Sequence, residues 1–324
     1  MHVVRRAAIA VAAVSALAAA TASAAPPPGF AGLVSNDVYA GSPDYQRSQL
    51  LRQRAAGFTI LRQTFDWQAI EPAAGRFSFE MTDRFVLAAA SAGIRVLPVL
   101  FGEPGWASSR PAGNGTRATF APADPDAFAA FAAAIAKRYG AGGSLWREHR
   151  EVTPRPIASY QIWNEPNLPI YWGGSPSASG YARLLSAASA GLRAVHPGVK
   201  VITAGMPQSK QGVDLLVYLR RLYAAGAGPS IDAVAVNAYS PSVAGIVRRA
   251  RAVRRLLNGR GAGRTGLWVT EFGWADNGPR QGYRVTAAKQ ASLVAGAFAE
   301  LSRLRRSLRL QGAVYFGSES RQPK

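Results

Sequence analysis

The sequence predicts an α/β protein in which eight parallel strands alternate with helices and close into a (β/α)8, or TIM, barrel. Short runs rich in Val, Ile and Leu are separated by longer segments with helical periodicity, and this order repeats without interruption. Strands that are apolar on both faces and separated by amphipathic helices are typical of a parallel sheet covered by helices. Eight such units favour closure into a barrel, and an open, doubly wound sheet is the alternative.

The eight predicted strands are apolar runs that end in glycine, proline or polar residues. They cover residues 31–37, 58–65, 94–102, 157–165, 201–206, 231–239, 266–274 and 311–317. Because each run is six to nine residues long, it suits a strand better than a helix.

The helices are predicted from caps and apolar stripes. Asp124 and Pro125 suit the N-cap and first turn of one helix, which Gly140 can end. Its stripe comprises Phe128, Phe131, Ile135 and Tyr139, and the segment before the last strand repeats the pattern with Val294, Phe298, Leu301, Leu304 and Leu308. Only residues 318–324 follow the eighth strand, so we expect the barrel to lack its last helix.

The first 24 residues have the features of a secretory signal peptide. Arg5 and Arg6 precede an apolar stretch at residues 7–20, and Ala22-Ser23-Ala24 has the form of a cleavage site. An uncleaved anchor is the alternative, but the stretch is shorter than the roughly 20 residues that span a bilayer. We therefore expect a secreted, extracellular protein with no stable membrane anchor. A Pro-rich leader at residues 25–29 would precede a single barrel domain at residues 30–324.

The chain is strongly basic, with 38 Lys and Arg against 18 Asp and Glu, a net charge of +20. The signal peptide holds two basic residues and no acidic one, so its removal would leave +18. This charge is compatible with an anionic partner such as a cell-wall polymer or an acidic polysaccharide, and an ordinary solvated surface is the alternative.

The arginine-rich segment near residue 250 favours a solvated helix face. Its apolar stripe comprises Ile246, Ala250, Val253 and Leu257, whereas Arg248, Arg249, Arg251, Arg254 and Arg255 lie mostly off that stripe. We therefore do not expect nucleic-acid binding.

Composition excludes several kinds of active site. Cysteine is absent, which removes disulfides and thiolate chemistry. Beyond the signal peptide the histidines are His149 and His196, and neither ends a predicted strand, so we expect surface residues rather than a triad or a metal site. The segment GAGRTG at residues 261–266 precedes a strand instead of following one, and we interpret it as a turn. The sequence predicts no metal and no cofactor.

Two glutamates end predicted strands that lie nearly opposite each other in the barrel. Glu165 closes the fourth strand in IWNEPN, and Glu271 closes the seventh in VTEFGW. A carboxylate at the end of an apolar strand costs desolvation energy, and active sites of such barrels form at the carboxyl ends of the strands. Both glutamates carry this desolvation cost at the same end of the barrel. A pair of catalytic carboxylates explains this better than two unrelated structural residues do.

With these residues, the chain resembles the retaining glycoside hydrolases that share a (β/α)8 barrel, in particular the cellulase-like and β-xylosidase-like families. IWNEPN and VTEFGW resemble their acid/base and nucleophile motifs, in the same order. LRQTFDWQAIEPAAGRFSF and VLPVLFGEPGWA resemble the second and third strand ends of those families. The resemblance covers nearly the whole chain after the signal peptide.

The resemblance implies a role for several residues. Glu165 would be the general acid/base and Glu271 the nucleophile, and Asn164 would bind the sugar 2-hydroxyl. Arg62 would hold Glu271 ionised, and Tyr239 would donate a hydrogen bond to it. Two positions depart from the families: Asn237 stands where a His is frequent, and Tyr315 or Phe316 would replace the usual Trp at the eighth strand.

Tryptophans near strand ends could pack against the C–H face of a sugar. Trp67, Trp106, Trp172 and Trp274 are the four candidates, whereas Trp146 and Trp268 are assigned to structure. The expected function is therefore hydrolysis of an O-glycosidic bond in a poly- or oligosaccharide. A carbohydrate-binding barrel that has lost turnover is the alternative, because the eighth strand departs from the families.

Overall fold

The computed structural model describes residues 26–34, 36–276 and 283–317, and within them eight parallel strands form a closed barrel. The strands follow one another around the barrel in chain order, and β8 closes the ring against β1. The strands are β1 Ala31–Val34, β2 Ile60–Asp66, β3 Arg95–Phe101, β4 Ser159–Ile162, β5 Lys200–Pro207, β6 Ala233–Asn237, β7 Gly266–Phe272 and β8 Leu310–Phe316. The predicted barrel is confirmed, and closure excludes the open sheet.

One long helix follows each strand from β1 to β7 in the described part of the chain. Including three short helices, the set is α1 Asn36–Ala40, α2 Pro43–Ala55, α3 Trp67–Ile70, α4 Glu80–Ser91, α5 Pro125–Tyr139, α6 Ser144–Glu148, α7 Ala178–Val195, α8 Leu215–Ala224, α9 Val243–Gly259 and α10 Ala287–Leu308. Residues 318–324, from which we expected no eighth helix, lie outside the described residues.

Local sequence explains the helix ends. The Asp124 side chain accepts a hydrogen bond from the Asp126 N–H, Pro125 opens α5, and Gly140 caps its end, as predicted. The predicted stripe of α10 is buried throughout against the barrel. The GAGRTG segment forms the turn between α9 and β7.

The barrel interior is filled by apolar side chains from seven of the strands. Trp268 lies in this cluster and donates its indole N–H to Gln311, and a Cβ at Gly312 would overlap its ring. Trp146 is buried under α5 and donates to the carbonyl of Tyr139. Both tryptophans are therefore packed in the protein interior, as expected of structural residues.

The predicted signal peptide lies outside the described residues. Of the predicted leader, Gly29 is held at the amino-terminal end of the barrel: its N–H donates to Thr59 Oγ1 and its carbonyl accepts from Arg95. Each helix in the described ranges is too short or too polar to span a membrane.

Candidate active site

Glu271 lies one residue before the end of β7, inside the barrel mouth, and is held by two donors. Arg62 Nη1 lies 2.8 Å from its Oε1, and the Tyr239 hydroxyl donates to its Oε2 over 2.7 Å. Burial, and then the charge of Glu271, raise the pKa of Tyr239, so this hydroxyl keeps its proton and remains a donor.

The strand register shifts on both sides of the segment that carries Glu271, between Val236 and Asn237 and between Val269 and Phe272. Such bulges re-aim side chains, and here consecutive Thr270 and Glu271 both reach inward hydrogen-bond partners.

Arg62 on β2 connects the strands that carry the two glutamates. Its Nε donates to Gln161 Oε1 over 2.7 Å, and its Nη2 lies 3.4 Å from Asn164 Oδ1. Gln161 in turn donates to the carbonyl of Thr203. A buried guanidinium is stable only when paired and hydrogen-bonded, and this fork meets both conditions. Arg62 is thereby fixed beside Glu271.

Glu165 follows β4 with an unusual backbone. Trp163 and Glu165 both have positive φ, 69° and 43°, which is why the strand ends at Ile162 rather than at residue 165 as predicted. Non-glycine residues in this region store strain, and strain of this kind concentrates at functional sites. The turn brings the Glu165 side chain to β6, where Asn237 Nδ2 donates to its Oε1 over 2.7 Å.

The two glutamates have different electrostatic environments. Burial, and secondly the negative charge of Glu271, raise the pKa of Glu165 to about 7. The hydrogen bond from Asn237 and the positive charge of Arg62 act in the opposite direction, with smaller effects. Glu271 by contrast is the partner of the Arg62 ion pair. The site therefore holds one carboxyl that keeps its proton into the neutral range and one that is paired with a cation.

Asn237 has its side chain oriented by Thr270. The Thr270 hydroxyl donates to Asn237 Oδ1 over 2.9 Å, so the amide oxygen is occupied and the amide nitrogen faces Glu165. Neither Thr270 nor Gln161 was among the predicted site residues. Both are polar residues inside apolar strand runs, which is the sequence signal that could have found them.

Gly205 on β5 has no side chain, and this leaves room for the hydrogen bond between Thr270 and Asn237. A Cβ at residue 205 would overlap Asn237 Oδ1 and lie 2.6 Å from Thr270 Oγ1. We expect Gly205→Ala to lower the free energy of unfolding by about 1–3 kcal/mol, the usual cost of overpacking a core. Thermal unfolding measures this as a midpoint lowered by several degrees.

The matched control is Gly198→Ala, since a Cβ there meets no atom within 4 Å. Its unfolding midpoint should stay close to that of the unsubstituted protein. Equal midpoints for the two variants would mean that the Asn237–Thr270 contact can relax without cost.

Trp67 is not available to a ligand, and its prediction as a sugar platform is wrong. Its ring is 0% exposed, stacks on Phe131 at 5.5 Å and donates its N–H to Glu71. The reason is local: the Asp66 side chain caps α3 at this point, and the helix that starts at Trp67 turns the ring into the protein core.

The other three predicted tryptophans differ in exposure. Trp172 and Trp274 are buried, Trp172 with its ring edge-on to Trp163. Trp106 is 41% exposed, and its N–H donates to the carbonyl of Glu71. Of the four, Trp106 therefore offers a ring surface to solvent.

Three half-buried aromatic residues lie closer to the barrel mouth than these tryptophans do. Phe101 ends β3 and lies 5.9 Å from the Tyr171 ring, whose hydroxyl has its pKa raised by burial and by the charges of Glu165 and Glu271. Phe316 ends β8 and meets Tyr239 edge-on at 6.4 Å, whereas Tyr315 is buried against Phe272 on the outer side. Phe316 therefore takes the mouth position of β8.

The histidines lie apart from this site. His149 is paired with Glu151 at the surface, and His196 caps the end of α7 through its backbone. Among the described residues, no group of three His, Asp or Glu side chains could hold a metal ion.

Several solved structures that align with this chain are glycoside hydrolases. A family 39 glycoside hydrolase from Bacteroides cellulosilyticus WH2 aligns with a TM-score of 0.62 and 19% identity, over 92% of this chain and 58% of that one. A glucosidase from Croceicoccus marinus gives 0.64 and 15%, over 92% and 62%. A monomeric β-xylosidase from Caulobacter crescentus CB15 gives 0.63 and 17%, over 91% and 61%. No family model and no curated protein match the chain.

The likeness shows that the chain has the barrel fold of these enzymes. It spans about three-fifths of the length of the three proteins, so their barrels correspond and their remaining parts have no counterpart in the alignment. At these identities the likeness concerns the fold, and any activity must be argued from the site itself.

Proposed function

We propose that the protein is a secreted retaining glycosidase that cleaves an O-glycosidic bond of a poly- or oligosaccharide by double displacement. The observation that carries this proposal is that one buried cluster holds two carboxyl groups with different electrostatic environments. Glu165 has its pKa raised to about 7, and Glu271 is bound by Arg62 and Tyr239. Hydrolysis by retention needs one carboxylic acid and one carboxylate, and it needs no metal or cofactor.

In the first step, Glu271 attacks the anomeric carbon while Glu165 transfers its proton to the leaving oxygen. Attack requires an ionised carboxylate, which the Arg62 ion pair favours. Transfer requires a protonated acid, which burial of Glu165 favours up to about neutral pH. The products are a glycosyl ester on Glu271 and the released alcohol.

In the second step, Glu165 acts as a base and water hydrolyses the ester. Once Glu271 is esterified it is neutral, so the repulsion that helps to raise the pKa of Glu165 is removed. The ionised form is then favoured by the hydrogen bond from Asn237 and the charge of Arg62. Glu165 can therefore take a proton from the attacking water, and Glu271 leaves as a carboxylate.

The surroundings of the pair suit a sugar. Asn164 precedes Glu165 in the chain and lies 3.4 Å from Arg62, where it can hydrogen-bond the 2-hydroxyl. Phe101, Tyr171 and Phe316 offer ring surfaces for C–H faces. The solved neighbours, named as a glucosidase and a β-xylosidase, act on sugars, which supports the same substrate class here. The basic, alanine-rich N-terminus supports export.

Product stereochemistry tests this proposal. Proton NMR of the reaction mixture should show, in the first minutes after mixing with an aryl β-glycoside, the β-anomer of the free sugar, with the α-anomer appearing only by mutarotation. A panel of gluco-, xylo-, galacto- and manno-configured substrates should be used, since the sugar is unassigned. First appearance of the α-anomer would overturn retention, and no turnover with any panel member would overturn the assignment as a glycosidase.

A further inference from the structure

A groove on the outer side of the barrel, between α8 and α9, combines positive charge with an apolar floor. It has a volume of about 770 Å³. Arg220, Arg255 and Arg260 are exposed along it, and Leu216, Ala252 and Leu256 form the half-buried part of its lining. No carboxylate lines this groove, in the part of the chain that the structure describes.

The three arginines of the groove are not held in close ion pairs by the residues that the structure describes. Within the described ranges, none of them has an ion pair within 4 Å, whereas Arg138 pairs with Asp83 and Arg193 pairs with Asp232. Asp214 attracts Arg220, but its Oδ1 caps the first turn of α8. Arg255 and Arg260 therefore have no close ion-pair partner among the described residues, and Arg220 has the attraction of Asp214 without a direct ion pair.

The composition of α9 strengthens this point. Residues 243–260 contain six arginines and no acidic residue, and Arg251 and Arg255 are spaced four apart, where like charges repel. Arg254, expected to be solvated, is instead buried and donates to the carbonyls of Leu308, Gly263 and Thr265. The charge of Arg254 therefore lies in the protein interior. The exposed arginines of this segment include Arg248, Arg251, Arg255 and Arg260.

We propose that this groove binds a linear acidic polysaccharide through its carboxylates. A cleft with walls of one charge sign and a low-dielectric floor concentrates its potential, and arginine forks match carboxylates in two-point contacts. The lining contains no aromatic side chain, so it lacks the stacking surfaces on which single-stranded nucleic acids are bound. The anionic partner suggested by the net charge thus has a specific place on the molecule.

The groove is separate from the active site. Helices of a (β/α)8 barrel run antiparallel to the strands, so Gly259 and Arg260 at the end of α9 lie toward the opposite end of the barrel from Glu165 and Glu271. A polymer in the groove would therefore hold the protein on an acidic matrix and leave the mouth open. This inference does not depend on the activity proposed above.

The test compares two triple variants of the full chain that lose the same charge. Arg220→Gln with Arg255→Gln and Arg260→Gln removes the three positive charges of the groove. The control, Arg47→Gln with Arg52→Gln and Arg54→Gln, removes three exposed arginines from α2, on the other side of the barrel. Affinity for polygalacturonate is measured by affinity electrophoresis, with the methyl-esterified polymer as the neutral probe and a 20-base-pair DNA duplex as the phosphate probe.

We expect the groove variant to bind polygalacturonate roughly tenfold more weakly and the control variant to change by less than about threefold. The neutral polymer should bind to neither, and the salt dependence of binding should be shallower for the groove variant. Matching thermal midpoints will show that both variants are folded. Equal losses in the two variants, or tighter binding of the unsubstituted protein to DNA than to polygalacturonate, would overturn the proposal.

Discussion

Glu271→Gly is expected to reduce hydrolysis of an activated aryl glycoside by at least roughly 10⁴-fold, the scale on which loss of a catalytic nucleophile acts in other hydrolases. The substitution removes the group that attacks the anomeric carbon and leaves a small cavity beside Arg62 Nη1 and the Tyr239 hydroxyl. These two donors then have no acceptor, and an anion can enter between them. Added azide should therefore restore turnover and yield a glycosyl azide of inverted configuration.

Glu271→Gln provides the matched control for this experiment. It retains the side-chain volume and an acceptor oxygen but is not nucleophilic, so it should be as inactive as the glycine variant and should not respond to azide. Thermal unfolding of both variants will show whether the barrel survives loss of the Arg62 ion pair, whose partner is then buried without its counter-charge. Activity of either variant close to that of the unsubstituted protein would refute the role of Glu271.

The strand pattern was predictable because barrel strands are buried on both faces. Each of the eight predicted runs overlaps one observed strand, and the boundaries differ by at most three residues. The three-residue difference at the end of β4 has a physical cause: Trp163 and Glu165 have positive φ, which composition does not reveal because neither is glycine or asparagine.

Four site residues were predictable from strand ends and family resemblance, and two polar residues inside strands were missed. Glu165 and Glu271 came from the strand-end rule, Arg62 and Tyr239 came from the family resemblance, and the structure brings all four into one cluster. Gln161 and Thr270 lie one or more residues before the strand end, and they act by fixing the side chains of other residues.

Position along the chain does not tell where a ring points. Trp67 directly follows β2, as a mouth residue would, but the helix that begins there buries it. Tyr171 was overlooked because it stands nine residues beyond β4 and is returned to the mouth by the loop and the short helical turn Pro169–Tyr171. Side-chain direction depends on backbone turns that a periodicity argument does not contain.

Glu165→Gln is expected to lower hydrolysis of alkyl glycosides by roughly 10²- to 10⁴-fold, because the carboxamide has no proton to transfer to the leaving oxygen. The side chain keeps its volume, and its oxygen can still accept the hydrogen bond from Asn237. A dinitrophenyl leaving group needs little protonation, so the first step should remain fast and a burst of phenol should precede a slow second step. Equal losses for both substrates would argue against general acid catalysis by Glu165.

The same substitution should make the folded protein more stable above neutral pH. The unfolded chain releases the Glu165 proton near pH 4.5, and the folded protein retains it up to about pH 7, so the unsubstituted protein loses stability as pH rises through this window. The loss is complete above the higher value and amounts to roughly 3 kcal/mol. Glutamine has no proton to release, so the difference in unfolding midpoint between variant and unsubstituted protein should grow from pH 4.5 to pH 7 and then level off.

Glu80→Gln serves as the control, because it removes an exposed carboxyl at the start of α4 and leaves the Glu165 cluster unchanged. A constant offset for Glu165→Gln across the whole range would mean that the carboxyl titrates alike in the folded and unfolded chains, and the proton that the mechanism requires would then be absent at neutral pH. A gain in stability that coincides with a loss of alkyl glycoside hydrolysis would instead show that one buried carboxyl destabilises the fold when it is ionised and serves the reaction when it is protonated. The pH at which the stability gain levels off should then agree with the basic limb of the pH profile of kcat/KM, since both report the same carboxyl in the free protein.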